Sequence, residues 1–256
     1  MKSYDNFGNI VVVKFPIGFS LAKKKKFAHK LLKEQKGVKT VLEKKERVKG
    51  RLRKLSTNYI AGENTKEVLY KENGCVFRFN IDETYFSPRL SNERKEIASK
   101  IKKGETVLVM FAGVAPYSIV IAKLSKAKKI FSNEINREAN KYAELNIKLN
   151  KVKDKIKLVN GDIKRIAGKL KERFDVIVMP RPQLKETFLK QAFQLSKFGT
   201  RIYYYDFCKD DEIDSVIEKI KREAKNYKKK IKILNIKRAG ELAPYKIRLR
   251  VDFKII

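Results

Sequence analysis

Histidine occurs once in this chain, cysteine twice, tryptophan not at all and proline only six times in 256 residues. With His29 as the single imidazole and Cys75 and Cys208 as the only thiols, ligands are too few for a typical zinc site, and two cysteines cannot build a disulfide framework. A metal-free, cytoplasmic protein is expected. No stretch approaches the roughly 18 consecutive apolar residues of a membrane span. The N-terminal MKSYDNFGNI has neither the apolar centre nor the cleavage site of a secretory signal. Acidic residues are scarce as well: 29 Asp and Glu stand against 62 Lys and Arg, a net charge of +33. That excess is far above what solubility requires and points to a polyanionic partner. It is spread along the chain, +13 in residues 1–80 and +20 in the rest.

What is present begins with a 43% apolar fraction, enough to fill a core in a chain of this length. The first segment predicts a strand over Ile10 to Phe15, a basic helix over Leu21 to Glu34 and a short strand over Thr40 to Leu42, followed by a basic stretch from Lys44 to Asn64. Residues 66–86 place β-branched and aromatic runs on both sides of Glu72-Asn73-Gly74, which predicts a hairpin. From about Ser91 helical patterns alternate with the short apolar runs TVLVM, KKIF, IKLV, VIVM and TRIYYY, the signature of a doubly wound parallel sheet. Ala139, Tyr142, Leu145 and Leu149 recur at helical spacing, as do Ile213, Val216, Ile220 and Ala224. KIKILNIK and YKIRLRVDFKII then read as a closing antiparallel pair. The expected architecture is α/β: a small α+β RNA-binding domain over 1–84, and a Rossmann-like domain over 85–256 with a mostly parallel sheet and a closing antiparallel strand.

The strand ends carry the chemistry. TVLVM runs into Phe111-Ala112-Gly113-Val114-Ala115-Pro116-Tyr117 and a helix, and Gly113 lets a ligand approach the backbone closely. The next strand ends about 20 residues on at Glu134, where such folds place an acid that accepts hydrogen bonds from ribose hydroxyls. The third ends at Asn160-Gly161-Asp162, where an adenine edge could be held, although Asp162 equally suits a helix N-cap. The fourth exits through Met179-Pro180-Arg181-Pro182, a stiff backbone poor in N–H donors, before a helix predicted over residues 184–198, LKETFLKQAFQLSKF. Upstream, Tyr85 to Leu90 followed by Asn92-Glu93-Arg94 combines a stiff turn, aromatic faces and a guanidinium able to bind a base oxygen. For RNA contact, Lys23 to Lys26, Lys44, Lys45, Arg51, Arg53 and Lys54 form a positive strip, with Tyr59 as a stacking candidate. A displaced base could be received by Tyr117, Tyr85 or Tyr203 to Tyr205. The lysines also read as a solvated face, and the three tyrosines as an ordinary sheet strand.

Four segments in order, KENGCVFRFNIDETYFSPRLSNER, VLVMFAGVAPYSIVIAK, NEINREANKYAELNIKLNK and YYYDF, resemble the archaeal tRNA (guanine-37) N(1)-methyltransferase family over most of residues 71–207. Val109 in place of Asp, FAGVAPY without a second Gly, and MPRPQ in place of an Asn-Leu-Pro motif resemble its wyosine-pathway branch. In that branch some members also methylate carbon 7 of 4-demethylwyosine. Lack of the Asn at Met179 removes the usual polar contact to the target base. The resemblance implies a class I methyltransferase fold, S-adenosylmethionine as donor, the tRNA anticodon arm as partner, and a monomer. It implies a donor pocket of Phe111, Ala112, Gly113, Val114, Tyr117, Glu134, Ile135, Asp162 and Ile163, with Arg89 toward the target base, Pro180 near the methyl group and Arg181 toward RNA. Glu93 and Asp206 are the carboxylates available to accept the N(1) proton. An extra N-terminal domain that touches the outer corner of tRNA has no counterpart, so recognition is expected to rest on the anticodon arm and an electrostatic grip. A methyltransferase of another RNA or of a protein, and a non-catalytic RNA-binding protein on a decayed fold, are the competing readings.

Overall fold

In the computed structural model, which describes residues 3–45, 55–243 and 245–256, the run Ile10-Val11-Val12-Val13 is buried on both faces. It forms β2 (Ile10–Lys14) of a four-stranded sheet with β1 (Ser3–Asn6), β3 (Thr40–Lys44) and β4 (Thr57–Gly62), in the order β1-β2-β3-β4. Because β2 and β3 are parallel, the chain must cross over between them, and α1 (Leu21–Glu34) is that crossover. Ser20 caps it by accepting the Lys23 N–H at 3.3 Å. The helix packs Ala28 and Leu31 on Val11, Val13, Val41 and Ile60. Strands β1 and β4 are additions to the sequence reading. Both are edge strands, and β1 is polar throughout, so neither carries a strong alternating pattern.

The hairpin consists of β5 (Glu67–Glu72) and β6 (Cys75–Asn80), joined by Asn73 and Gly74. Both have positive φ, 49° and 71°, the requirement of a type I′ turn. The hairpin is not isolated, since its backbone is read by a helix of the following sheet.

That sheet has seven strands: β7 (Thr106–Val109), β8 (Lys129–Glu134), β9 (Ile156–Asn160), β10 (Phe174–Met179), β11 (Ser196–Cys208), β12 (Ile231–Ala243) and β13 (Lys246–Ile255). Their order is β12-β13-β11-β10-β7-β8-β9. β7 to β11 are parallel, while β13 runs antiparallel between β11 and β12. α2 (Ser91–Ser99), α3 (Pro116–Leu124) and α4 (Arg137–Leu149) cover one face together with the hairpin. α5 (Ile163–Ile166), α6 (Leu189–Leu195) and α7 (Ile213–Asn226) cover the other.

Two elements differ from the sequence reading. The buried stripe of α4 includes Asn140 and Asn146, continued by the C-cap residue Asn150, rather than Leu149, which is exposed. The Asn146 side chain accepts the Arg78 N–H at 2.7 Å and donates to its carbonyl at 3.0 Å; Asn150 does the same for Val76 at 2.9 and 2.6 Å. Two amides thus satisfy the free edge of β6, which would otherwise be buried without partners. The helix expected over residues 184–198 is only α6. Phe188, with φ 60°, stands outside it, and the chain from Ser196 onward joins β11.

Candidate active site

Strand order reverses between β7 and β10, which leaves a crevice at their C-terminal ends. From β7 the chain turns through Phe111 (φ 57°), Gly113 (φ 57°) and Ala115 (φ 66°) into α3. A left-handed conformation costs a non-glycine residue about 1–2 kcal/mol, so strain is concentrated in this turn. At Gly113 the constraint is also spatial, because a Cβ there would meet the Tyr85 carbonyl oxygen at 3.3 Å. Glu134, the last residue of β8, locks the turn. Its Oε2 accepts the Gly113 N–H at 2.7 Å, and its Oε1 accepts those of Ile135 and Asn136 at 2.8 Å each. Burial pushes its pKa above the ordinary carboxylate value against these three bonds. A carboxylate has about four acceptor positions, so Glu134 keeps capacity for a hydroxyl in the cleft.

The cleft spans about 640 Å³, part of it open to solvent. Its lining comes from the end of β8 and the start of α4 (Glu134, Ile135, Ala139), from the end of β9 (Asp162, Ile163) and from the chain after β10 (Pro180, Pro182, Leu184, Phe188), which forms one wall, together with Tyr85. The Asp162 side chain accepts the Lys164 N–H at 3.1 Å and so caps α5 while lining the cleft. The Phe111 and Phe188 rings meet edge to face at 4.9 Å. A carboxylate for a diol, apolar surfaces for a flat base and a close backbone approach at Gly113 fit a nucleoside.

Of the residues expected to touch a donor, Phe111, Gly113, Glu134, Ile135, Asp162 and Ile163 line this cleft, as does Pro180. Ala112, Val114 and Tyr117 do not. They are buried beneath it, because the turn directs them into the core between α3 and the sheet. The Tyr117 hydroxyl, pushed up to about 12 by burial, donates to that of Tyr205 at 3.3 Å. Tyr203 to Tyr205 are buried on alternate faces of β11 and are closed to a displaced base. Met179 is fully buried, and it is Pro180 that faces the cleft. Arg181, expected on RNA, is buried with its guanidinium on Asp206 and the Tyr204 hydroxyl. Asp206 accepts from Arg181, from Tyr204 at 3.0 Å and from the Phe207 N–H at 2.8 Å, so this carboxylate is already committed.

Glu93 is also buried, in the first turn of α2. Its Oε1 accepts from Arg250 and from the Tyr205 hydroxyl at 2.8 Å, and its Oε2 from Lys237 at 3.1 Å. Arg89 is exposed and donates to Asp5 Oδ1 through Nη2 at 2.6 Å and Nε at 3.1 Å. Lys45 and Tyr59 are exposed and Lys44 is half-buried. Arg51, Arg53 and Lys54 lie outside the described residues. Leu184 and Phe188 were hidden in an expected helix. Asn136, which caps α4 and lines the cleft, was signalled only by its place before the helical run. Among the described residues no group of His, Cys, Asp and Glu could hold a metal, and no helix is long and apolar enough to cross a membrane.

The TRM5/TYW2 methyltransferase domain family matches residues 68–234, and the TYW2 N-terminal domain family matches residues 1–65. The chain belongs to the TRM5/TYW2 methyltransferase family. It is 34% identical to tRNA (guanine(37)-N(1))-methyltransferase Trm5b of Pyrococcus abyssi, over 99% of this chain and 74% of that protein. With tRNA (guanine(37)-N(1))/4-demethylwyosine(37)-methyltransferase Taw22 of Nanoarchaeum equitans it shares 33% identity, over 99% of this chain and 100% of that protein. Among solved structures, the complex of aTrm5 with tRNALeu superposes with a TM-score of 0.86 at 31% identity, covering 99% of this chain and 72% of that one. The TRM5/TYW2 fold therefore extends through both sheets, and the cleft lies within the matched methyltransferase domain.

Proposed function

We propose that this protein transfers a methyl group from S-adenosylmethionine to N(1) of guanosine 37 in tRNA, beside the anticodon, and to C(7) of 4-demethylwyosine at the same position. The observation that carries this reading is the similarity along the whole chain to two enzymes named for chemistry at position 37, with the nucleoside cleft intact. Bound there, S-adenosylmethionine supplies an electrophilic methyl group. Glu134 would hold its ribose, Asp162 and Ile163 would flank its adenine, and Pro180 would border the methyl group.

Guanine N(1) carries a proton at neutral pH, so the transfer needs a proton acceptor and stabilisation of charge developing on the neighbouring carbonyl oxygen. Neither candidate carboxylate is free to accept that proton in this arrangement: Glu93 is held by Arg250, Lys237 and the Tyr205 hydroxyl, Asp206 by Arg181 and the Tyr204 hydroxyl, and neither lines the cleft. Arg89, exposed four residues before Glu93, supplies the positive charge once the substrate replaces Asp5 as its partner. The anticodon arm meets the exposed lysines of α1, with Lys45 and Tyr59 beyond, and the protein acts as a monomer. No lone-pair nitrogen attacks in the C(7) reaction, so orientation of the tricycle in the same cleft decides it.

Nucleoside mass spectrometry of tRNA after incubation with the protein and S-adenosylmethionine tests both steps. 1-Methylguanosine from guanosine-37 tRNA and a C(7)-methylated tricycle from 4-demethylwyosine tRNA are expected. Product from only one of two tRNAs that bind equally well rejects dual function.

A further inference from the structure

The wall formed by Pro180, Pro182 and Leu184 has no regular secondary structure and contains two residues without an N–H. What orders it is a side chain. The Arg181 N–H donates to the Met179 carbonyl at 2.7 Å, which closes a three-residue turn around Pro180. The Arg181 guanidinium then collects the carbonyls of the next residues along the chain: Nη1 lies 3.2 Å from that of Pro182, 3.0 Å from that of Leu184 and 3.1 Å from that of Glu186. Its remaining donors point the other way, Nε to the Tyr204 hydroxyl at 3.1 Å and Nη2 to Asp206. A planar fork of five N–H groups can serve a loop on one edge and a strand on the other, which a lysine cannot do.

We propose that Arg181 is a positioning residue for methyl transfer, wrapping residues 180–187 around its guanidinium and tying them to β11; this rests on the reading of the cleft as the donor site. Glu134 and Gly113, which hold the donor in that reading, belong to β8 and the β7–α3 turn and make no hydrogen bond with Arg181. Loss of Arg181 therefore leaves the Glu134 and Gly113 contacts to the donor in place and displaces the wall that borders the reacting atoms. A displacement of about 1 Å there costs on the order of a hundredfold in rate.

A single Arg181→Met change strands Asp206 without its cation, so the deciding protein is the double variant Arg181→Met/Asp206→Asn, which removes both charges. Calorimetry with S-adenosylmethionine and single-turnover methyl transfer to tRNA are measured on it, on wild type, and on Asp206→Asn alone. The expected result is donor affinity within tenfold of wild type and transfer slowed tenfold or more in the double variant, with Asp206→Asn alone slowed less than tenfold because the carbonyl contacts persist. If Arg181 only neutralises Asp206, the double variant transfers methyl within tenfold of the wild-type rate, and the proposal is overturned. A donor affinity reduced more than tenfold also overturns it, since the loop then shapes the donor site. Should the double variant fail to fold, Arg181→Lys decides, since it keeps a cation on Asp206 but cannot also span the three carbonyls: transfer slowed tenfold or more with donor affinity kept supports the proposal, and transfer within tenfold of wild type overturns it. A wild-type protein without any transfer sinks the reading of the cleft itself, whereas an active wild type with an active double variant sinks only the role of Arg181.

Discussion

Cationic side chains are used in opposite ways by the two sheets. On α1, Lys23, Lys25, Lys26, Lys30 and Lys33 all face solvent, and where Lys30 meets Glu34 the two side chains are 70% and 56% exposed. Around the seven-stranded sheet three arginines point inward instead: the Arg94, Arg181 and Arg250 side chains are 1%, 2% and 0% exposed, and each sits on a carboxylate. An ammonium on a flexible stem suits a polyanion whose position varies. A buried guanidinium with several fixed acceptors suits a scaffold. The basic side chains are therefore part grip and part framework, the excess positive charge belonging to the grip because the framework arginines are matched by carboxylates, and the two parts should separate under mutation.

The largest effect is expected at Arg250, which donates to Glu93, Glu96 and Asp252 together. Arg250→Met leaves these carboxylates without their shared cation and should destabilise the fold by about 3–5 kcal/mol in denaturant unfolding. Lys26→Met should change stability by less than about 0.5 kcal/mol. If the two variants unfold alike, the division between framework and grip is lost.

Next is Glu134→Ala, which removes the acceptor facing the cleft and should weaken S-adenosylmethionine binding by roughly 1–3 kcal/mol in calorimetry. Unchanged affinity would take Glu134 out of the donor site. A smaller, pH-dependent effect belongs to Glu96. Burial alone would raise its pKa, but hydrogen bonds from Arg250 and Lys237 outweigh that and bring it from 4.5 down to about 2. A folded-state pKa below the unfolded one contributes stability above the unfolded value that is lost as pH falls. Melting temperature should therefore drop between about pH 4.5 and about 2, and Glu96→Gln should flatten that part of the profile. An identical profile in the variant would place the acid sensitivity elsewhere.

The smallest effect on stability, and the clearest on RNA, is expected from Lys23→Ala/Lys25→Ala/Lys26→Ala. The melting temperature should hold. The slope of log affinity for tRNA against log salt should fall by about one unit for each lysine that touches a phosphate. A slope equal to that of wild type would show that the α1 lysines are only a solvated face.

Legibility in the sequence tracked the range of the interactions. The bounds of α1, the type I′ hairpin and the five parallel strands depend on local period and turn chemistry, and all were readable. Gly113, Glu134 and Asp162 could be placed because strand ends are local features and this fold puts its ligand-binding groups there. Arg181 could not, since its partners Tyr204 and Asp206 lie more than 20 residues away and nothing nearby distinguishes a buried arginine from one that meets phosphate. Asn146 and Asn150 carry no local signal for the same reason: the backbone they satisfy belongs to a hairpin some 70 residues earlier. Tyr117 lies in a segment with the right chemistry, but the first turn of α3 directs it to Tyr205 and away from the cleft.

Methyl transfer to guanosine 37 can be read as incorporation of labelled methyl from S-adenosylmethionine into two tRNA transcripts that differ only at position 37, one with guanosine and one with adenosine. Label should enter the guanosine transcript and be recovered as 1-methylguanosine, with none in the adenosine transcript. Equal labelling of both, or none in either while the donor binds, would rule out guanosine 37 as the methyl acceptor.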